Sequence, residues 1–304
     1  MAAFVPEGTF TALVTPMCDD GDHSVDVPAL ERLVEQQIAG GVDGLVACGT
    51  TGETATLSDE EYELVVATVV RCSAGRVPVI AGTGSNDTRR TVATSLRAQQ
   101  LGVDAILVVT PYYNKPTQAG LLAHFRAVAD AVQVPVILYN VPGRTACNLL
   151  PVTVAELAAH PRIVAVKEAS GSLDQVQEIV HRTRHQFAVL SGDDGLCLPM
   201  YAVGGRGVIS VVSNPAPAQT AALYRLYRAG RVDEAARAQV ALLPLIKTLF
   251  SEPNPQPCKM AMHLLGLMAP GLRLPMLAAQ ATTAQALRRD LAELGLLAAD
   301  RTES

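Results

Sequence analysis

Ile163-Val164-Ala165-Val166-Lys167-Glu168-Ala169-Ser170-Gly171 is an apolar, largely β-branched run broken by a lysine. β-branched side chains suit the pleated, buried surface of a strand, so 163–167 is expected to be a short strand with Lys167 at its C-terminal end. Burying an ammonium is costly and favours the neutral amine. A neutral amine is a nucleophile that can form a Schiff base with a carbonyl compound. The alternative is a lysine that lays its methylenes along the strand end and keeps its head in water. The chain has four lysines, Lys115, Lys167, Lys247 and Lys259, and arginine carries the rest of the positive charge. The other three lysines fall in loop or C-terminal helical segments where no such setting is expected.

Runs of the same kind recur every 20 to 30 residues, each followed by a helical pattern. Strands are expected at 10–15, 43–48, 77–81, 105–109, 135–139, 163–167, 187–190 and 207–212. Helices are expected between them at 27–39, 58–72, 87–101, 117–132, 151–159, 172–184 and 194–203, with an eighth at 216–229. Ser58 and Ser172 sit where N-caps belong, and Gly40-Gly41 and Gly102 where helices end. Eight strand–helix units at this spacing imply an α/β protein whose parallel sheet closes as a (β/α)8 barrel. An open doubly wound sheet would use the same elements, but the glycine-rich dinucleotide turn after the first strand is missing. Helical stretches near 232–250, 257–267 and 283–297 follow with no strands between them. The expected organisation is a barrel over 1–229 and a three-helix appendage over 230–304, with Ser251-Glu-Pro-Asn-Pro-Gln-Pro257 breaking the appendage.

Composition narrows the function. The chain is 49% hydrophobic, and 24 Lys+Arg against 29 Asp+Glu give a formal net charge of −5. Charges of both signs are scattered, and no basic run interleaves with aromatics, so no nucleic-acid surface is expected. No run of about 18 apolar residues suggests a membrane span, and the N-terminal stretch does not have a signal peptide's charged and apolar regions. The six cysteines are far apart, without Cys-x-x-Cys pairs or zinc-ligand spacing. They suit a reducing cytoplasm as small buried apolar residues.

Active sites of such barrels lie at the C-terminal ends of the strands. Read there, the chain offers Gly49-Thr50-Thr51-Gly52-Glu53, Pro111-Tyr112-Tyr113-Asn114, Tyr139-Asn140 leading into Val141-Pro-Gly-Arg144, Lys167, Ser191-Gly192-Asp193-Asp194, and Gly207-Val208-Ile209-Ser210. Successive N–H groups and two hydroxyls in the first of these can surround a carboxylate, although a plain turn explains the bare string as well. Tyr139, one strand before Lys167, can pass protons while a carbinolamine forms and dehydrates. As a lone residue it is equally a core or rim tyrosine. Arg144 follows a Pro-Gly turn on the rim, where a guanidinium can fork onto a carboxylate or simply stay solvated.

In order and spacing, Ala12-Leu-Val-Thr-Pro-Met17, Gly49-Thr-Thr-Gly-Glu53, Thr110-Pro-Tyr-Tyr-Asn114, Tyr139-Asn-Val-Pro-Gly-Arg-Thr145, Val166-Lys-Glu-Ala-Ser-Gly171 and Gly207-Val-Ile-Ser-Val211 resemble the dihydrodipicolinate synthase family of the N-acetylneuraminate lyase superfamily. The likeness runs from about residue 8 to about residue 295. It implies a Schiff-base lyase that condenses pyruvate with L-aspartate 4-semialdehyde to 4-hydroxy-tetrahydrodipicolinate, on the way to diaminopimelate and lysine, without metal or organic cofactor. Lys167 would condense with pyruvate and Tyr139 would shuttle protons. Thr50 would link Tyr139 to a Tyr113 supplied by the neighbouring subunit of a homotetramer. Thr50 and Thr51 would hold the pyruvate carboxylate, and Arg144 that of the second substrate. Ile209, Gly192 and Asp193 would border the same space.

Thr50-Thr51 and Arg144 favour the synthase over sugar-acid lyases. Aldolases acting on 2-keto-3-deoxy sugar acids or hydroxy-oxoglutarate share the lysine and tyrosine and remain the alternative. A catalytically silent keto-acid sensor is a third reading, disfavoured because Lys167 and Tyr139 are both present. The resemblance also bears on feedback. Lysine-inhibited members hold L-lysine in a cleft between subunits near Tyr112, using a glutamate whose position aligns with Arg90 and histidines whose positions align with Asp59 and Tyr62. An arginine repels the ligand's ammonium, so weak or absent inhibition by L-lysine is expected.

Overall fold

The computed structural model describes residues 4–298, so the ends of the expected barrel and appendage, 1–3 and 299–304, lie outside the described residues. Eight strands form in chain order: β1 Gly8–Ala12, β2 Gly44–Ala47, β3 Val79–Gly82, β4 Ala105–Val109, β5 Val136–Asn140, β6 Ile163–Glu168, β7 Ala188–Ser191 and β8 Gly207–Ser210. Each pairs in parallel with the next, and β8 returns to β1, closing the barrel. The seam closes at two glycines in register, Gly8 and Gly207, both with positive φ. A side chain at 207 would collide with the Gly8 backbone, so only glycine fits there.

Successive side chains on a strand point to opposite faces, and this divides the apolar residues into two layers. Phe10, Val46, Ile80, Leu107, Ile137 and Leu190 fill the barrel interior. Leu45, Val79, Ile106, Leu138 and Val189 face the surrounding helices. On β6 the alternation is interrupted. Ile163 packs in the helix-facing layer, Val164 and Ala165 both pack toward the interior, and Val166 returns to the helix-facing layer. The register with β5 shifts at the same place, Val136 pairing with Ile163 but Ile137 with Ala165. This one-residue slip resets the phase, and it is why Lys167 points into the barrel.

The helices match the expected pattern. Asp26 caps Val27–Ala39, Ser58 forms a capping box on Asp59–Ser73, and Ser172 caps Leu173–Arg182. After Pro217–Arg228, the helix Val232–Leu249 packs on both Pro217–Arg228 and Ala281–Glu293, and Gln256–Leu264 packs beside them. Among the described residues no helix is long and apolar enough to cross a membrane.

Three local differences from the expected elements have physical causes. The last strand was expected to reach 212 but stops at Ser210, because the Val211 and Val212 N–H groups bond to the Asp194 carboxylate instead of a ladder. The helix expected at 194–203 is a tight turn, Asp194–Leu196, followed by Cys197–Ala202, with Asp193 capping the turn. The Pro-Gly turn before Arg144 is a single helical turn, Pro142–Thr145, with proline at its start.

Candidate active site

A cavity of about 580 Å³ opens at the C-terminal ends of the strands. All but two of the residues expected to act on or border the substrates line it: Thr50, Thr51, Tyr139, Arg144, Lys167, Gly192 and Asp193. Lys167 is 6% exposed, and Tyr139, its register partner on β5, is buried as well. The lysine Nζ stands 4.4 Å from the centroid of the Tyr139 ring. Among the described residues no carboxylate lies within ion-pair distance of Lys167. The neighbouring Glu168 points to the opposite face, where its carboxylate accepts from Asn140, Gln175 and the Ser170 N–H. The carboxylate next in sequence is thereby consumed in the wall, and the amine is left facing the cavity.

Gly192 makes room for that amine. A Cβ at this position would lie 2.6 Å from the Ala169 Cβ and 3.1 Å from the Lys167 Cε. Beyond it, Asp193 caps the Asp194–Leu196 turn through the Gly195 N–H. Asp194 is fully buried, and burial pushes its carboxyl up. The Ser210 hydroxyl donates to it at 2.5 Å, tying the end of β7 to the end of β8.

The loop after β2 carries Thr50 and Thr51. Thr51 is buried, and its hydroxyl accepts from the Asn254 side-chain amide at 2.9 Å. The Asn254 carbonyl in turn accepts from Arg144 Nη2 at 3.4 Å. Arg144 is exposed on the rim. One asparagine from the segment after the barrel therefore touches both the hydroxyl loop and the rim arginine. Sequence reading missed Asn254, Lys247 and Phe250, all of which line the cavity. The one available signal was the polar Asn254 between two prolines in the break at 251–257.

Two residues fall elsewhere. Ile209 is 1% exposed and packs in the barrel's inner layer with Tyr139 and Leu190, off the cavity wall. Tyr113 is 87% exposed, on a loop with positive φ, and does not line the cavity. No hydrogen bond among the described residues joins Tyr139, Thr50 and Tyr113 within this single chain.

The expectation that Lys259 lacks a buried setting is corrected. Its side chain is 0% exposed and its Nζ lies 2.5 Å from Glu53 Oε1. Burial pulls its ammonium below the ordinary lysine value, and the Glu53 charge opposes that shift. Lys259 does not line the cavity.

A second cleft, about 520 Å³, adjoins the first through Thr50, Val141, Arg144 and Asn254. Asp59, Tyr62, Arg90, Arg97 and Tyr112 line it together. Asp59 is engaged by Arg97 at 3.0 Å and the Tyr62 hydroxyl by the Gly82 carbonyl at 3.1 Å, whereas Arg90 is exposed.

Similarity to known proteins agrees with this arrangement. The 4-hydroxy-tetrahydrodipicolinate synthase of Pelobacter propionicus is 50% identical over 270 residues, which cover 89% of this chain and 92% of that protein. The enzyme of the same name from Syntrophus aciditrophicus is 46% identical over 291 residues, 96% of this chain and 99% of its own. The crystal structure of dihydrodipicolinate synthase from Thermotoga maritima superposes with a TM-score of 0.94 at 41% identity, covering 97% of this chain and all of that one. Residues 5–294 match the dihydrodipicolinate synthetase family, and with barrel, lysine and hydroxyl loop in the expected places the chain belongs to that family.

Proposed function

We propose that this chain condenses pyruvate with L-aspartate 4-semialdehyde, giving 4-hydroxy-tetrahydrodipicolinate for the synthesis of diaminopimelate and lysine. The observation that carries the reading is Lys167, buried and without a carboxylate partner among the described residues, held 4.4 Å from the Tyr139 ring at the wall of the cavity. Lys167 attacks the pyruvate ketone, the carbinolamine loses water, and the resulting imine yields an enamine whose methylene carbon adds to the aldehyde. The amino group of the second substrate then adds to the imine carbon, closing the ring as the C–N bond to Lys167 breaks and the lysine leaves as the free amine. Tyr139 moves the protons of the addition and dehydration. Thr50 and Thr51 hold the pyruvate carboxylate, while Arg144, out on the rim, takes the carboxylate of the aldehyde. Gly192 and Asp193 bound the space between them. Ile209 shapes the site from the inner layer rather than by direct contact.

The remaining features belong to the same proposal. Tyr113 completes the proton path of a neighbouring subunit across a two-fold contact, in a homotetramer working in the cytoplasm. Its near-complete exposure in the single chain supports this, since exposed tyrosines are frequent interface anchors. Mixing an inactive Tyr113→Phe chain with an inactive Lys167→Ala chain is expected to restore activity in hybrids, and verified hybrids with none would remove Tyr113 from the site. The division at residue 229 is a proposal about sequence organisation. Asn254, in the appendage, belongs to the catalytic unit.

Pyruvate followed by borohydride tests the nucleophile. Mass spectrometry is expected to place the adduct on Lys167 alone, and to find none in Lys167→Ala. An adduct on Lys115, Lys247 or Lys259 would overturn the assignment. Turnover with a panel of aldehydes, aspartate semialdehyde among them, tests the second substrate.

A further inference from the structure

We infer that Lys259 and Glu53 are a positioning pair for the loop Gly49–Glu53, so that the helical segment after the barrel sets how tightly that loop holds the pyruvate carboxylate. The inference rests on the function proposed above.

Lys259 lies on the helix Gln256–Leu264, far from the barrel strands in sequence. Its Nζ meets Glu53 Oε1 at 2.5 Å and donates to the Gly271 carbonyl at 2.7 Å. The two side chains are 0% and 3% exposed. Apart from the ammonium, no group among the described residues reaches Glu53 Oε1. Burying such a pair is a poor route to stability. Desolvating both charges offsets most of their attraction, and well-packed apolar replacements are often as stable or more so. A pair this dry therefore calls for a reason other than stability.

Its position supplies one. Glu53 closes the hydroxyl loop, and its backbone is held left-handed, φ 55°, a conformation that costs a non-glycine residue energy. The Glu53 N–H donates to the Thr50 carbonyl at 3.2 Å, and its own carbonyl accepts from Thr56. Fixing the Glu53 side chain thus fixes the backbone that carries Thr50 and Thr51. The neighbouring Gly52 carbonyl is held by Thr15 Oγ1 at 2.7 Å, and the Thr51 hydroxyl by Asn254. The segment Asn254–Lys259 therefore grips the loop at two points, one hydroxyl and one carboxylate. The Lys259 ammonium, enclosed by Glu53 and a carbonyl and away from the cavity, serves as an anchor and not as a second nucleophile.

The test compares wild type with Lys259→Met, Glu53→Gln and the double variant Glu53→Gln/Lys259→Met. The single changes leave one buried charge and are expected to lower the melting temperature. The double change removes both charges and is expected to recover it. If the pair positions the loop, the double variant still shows a pyruvate KM, and a half-saturating pyruvate concentration for borohydride trapping, raised about ten- to hundred-fold. Its kcat and aldehyde KM stay within about three-fold of wild type. A purely structural pair would move only the melting temperature, so a folded double variant with wild-type pyruvate KM overturns the inference. Should the double variant not fold, Glu53→Gln alone is read the same way, because it keeps the side chain's shape. Failure of wild type to be trapped at Lys167 would instead overturn the function on which the inference rests.

Discussion

Lys167 and Tyr139 are register partners on adjacent parallel strands, and the lysine Nζ stands 4.4 Å from the phenol ring centroid. The ring face lies beside the amine at the cavity wall, and no carboxylate among the described residues shares that position. Any carbonyl that reaches the amine also meets the tyrosine. The remaining walls of the cavity can be tested one at a time.

Gly192→Ala adds a single methyl where the Ala169 Cβ and the Lys167 Cε already stand. Displacing the lysine by a few tenths of an ångström to an ångström is expected to lower kcat by about a hundred-fold, and because the Ala169 Cβ is fixed to the wall backbone the melting temperature is expected to fall as well. Single-turnover trapping with pyruvate reads it directly. Imine formation at the wild-type rate would mean that the lysine does not depend on this gap.

Arg144 is exposed on the rim, and its contact with the Asn254 carbonyl is long, 3.4 Å. Arg144→Ala is expected to raise the aldehyde KM or lower kcat by about ten-fold or more, the loss of one charge-assisted contact. Pyruvate trapping at Lys167 should survive. Parallel loss of both steps would show that the arginine holds the mouth together.

Feedback by L-lysine is expected to be weak. In the second cleft Asp59 is already paired with Arg97, so it does not offset the exposed Arg90. Like charges a few ångströms apart near a surface weaken binding by about ten-fold to several hundred-fold. An inhibition curve with half-inhibition at submillimolar lysine would contradict this, and Arg90→Glu should strengthen whatever inhibition exists.

His124 gives a stability signal at acid pH. It is buried, bonded to the Thr88 hydroxyl and packed edge-on to Phe125, and burial lowers its pKa from 6.5 to about 4. The unfolded chain binds this proton near pH 6.5, whereas the folded chain resists it down to about 4. The contribution is therefore complete above about pH 6.5 and is lost as pH falls toward 4, on the order of a few kcal/mol in all. The wild-type melting temperature should fall relative to that of His124→Gln as the pH falls through that window. Parallel curves would remove His124 from the acid response.

The barrel was legible because the strands are short buried apolar runs and several of the helices between them carry their own caps, as at Asp26, Ser58 and Ser172, signals that lie within a few residues of one another. Lys167, Tyr139, Thr50, Thr51 and Arg144 were legible for a related reason, since strand ends of one barrel converge wherever they lie in the chain. Asn254 and Lys259 were not. Their partners Thr51 and Glu53 lie some two hundred residues away, 203 for the first pair, and helical periodicity near 259 says nothing of a carboxylate at 53. The short turn at Asp194 escaped for the same reason, as it is organised by Ser210 at the end of the following strand and by Val211 and Val212 just beyond it. The role proposed for Tyr113 requires a second chain, which the signals within one sequence do not describe.

The slip at the start of β6 shows that the lysine's letter and the lysine's direction are separate pieces of information. Val164 and Ala165 spend two consecutive residues on the same side, and everything after them inherits the change of parity. A strand carrying Val-Lys-Glu-Ala-Ser-Gly intact, but with one residue fewer before it, would send the amine among the helices and the Glu168 carboxylate into the pocket. Such a protein would match every motif used to identify it and be chemically mute. In this fold the count of residues ahead of the lysine decides, as much as the lysine itself, what the cavity contains.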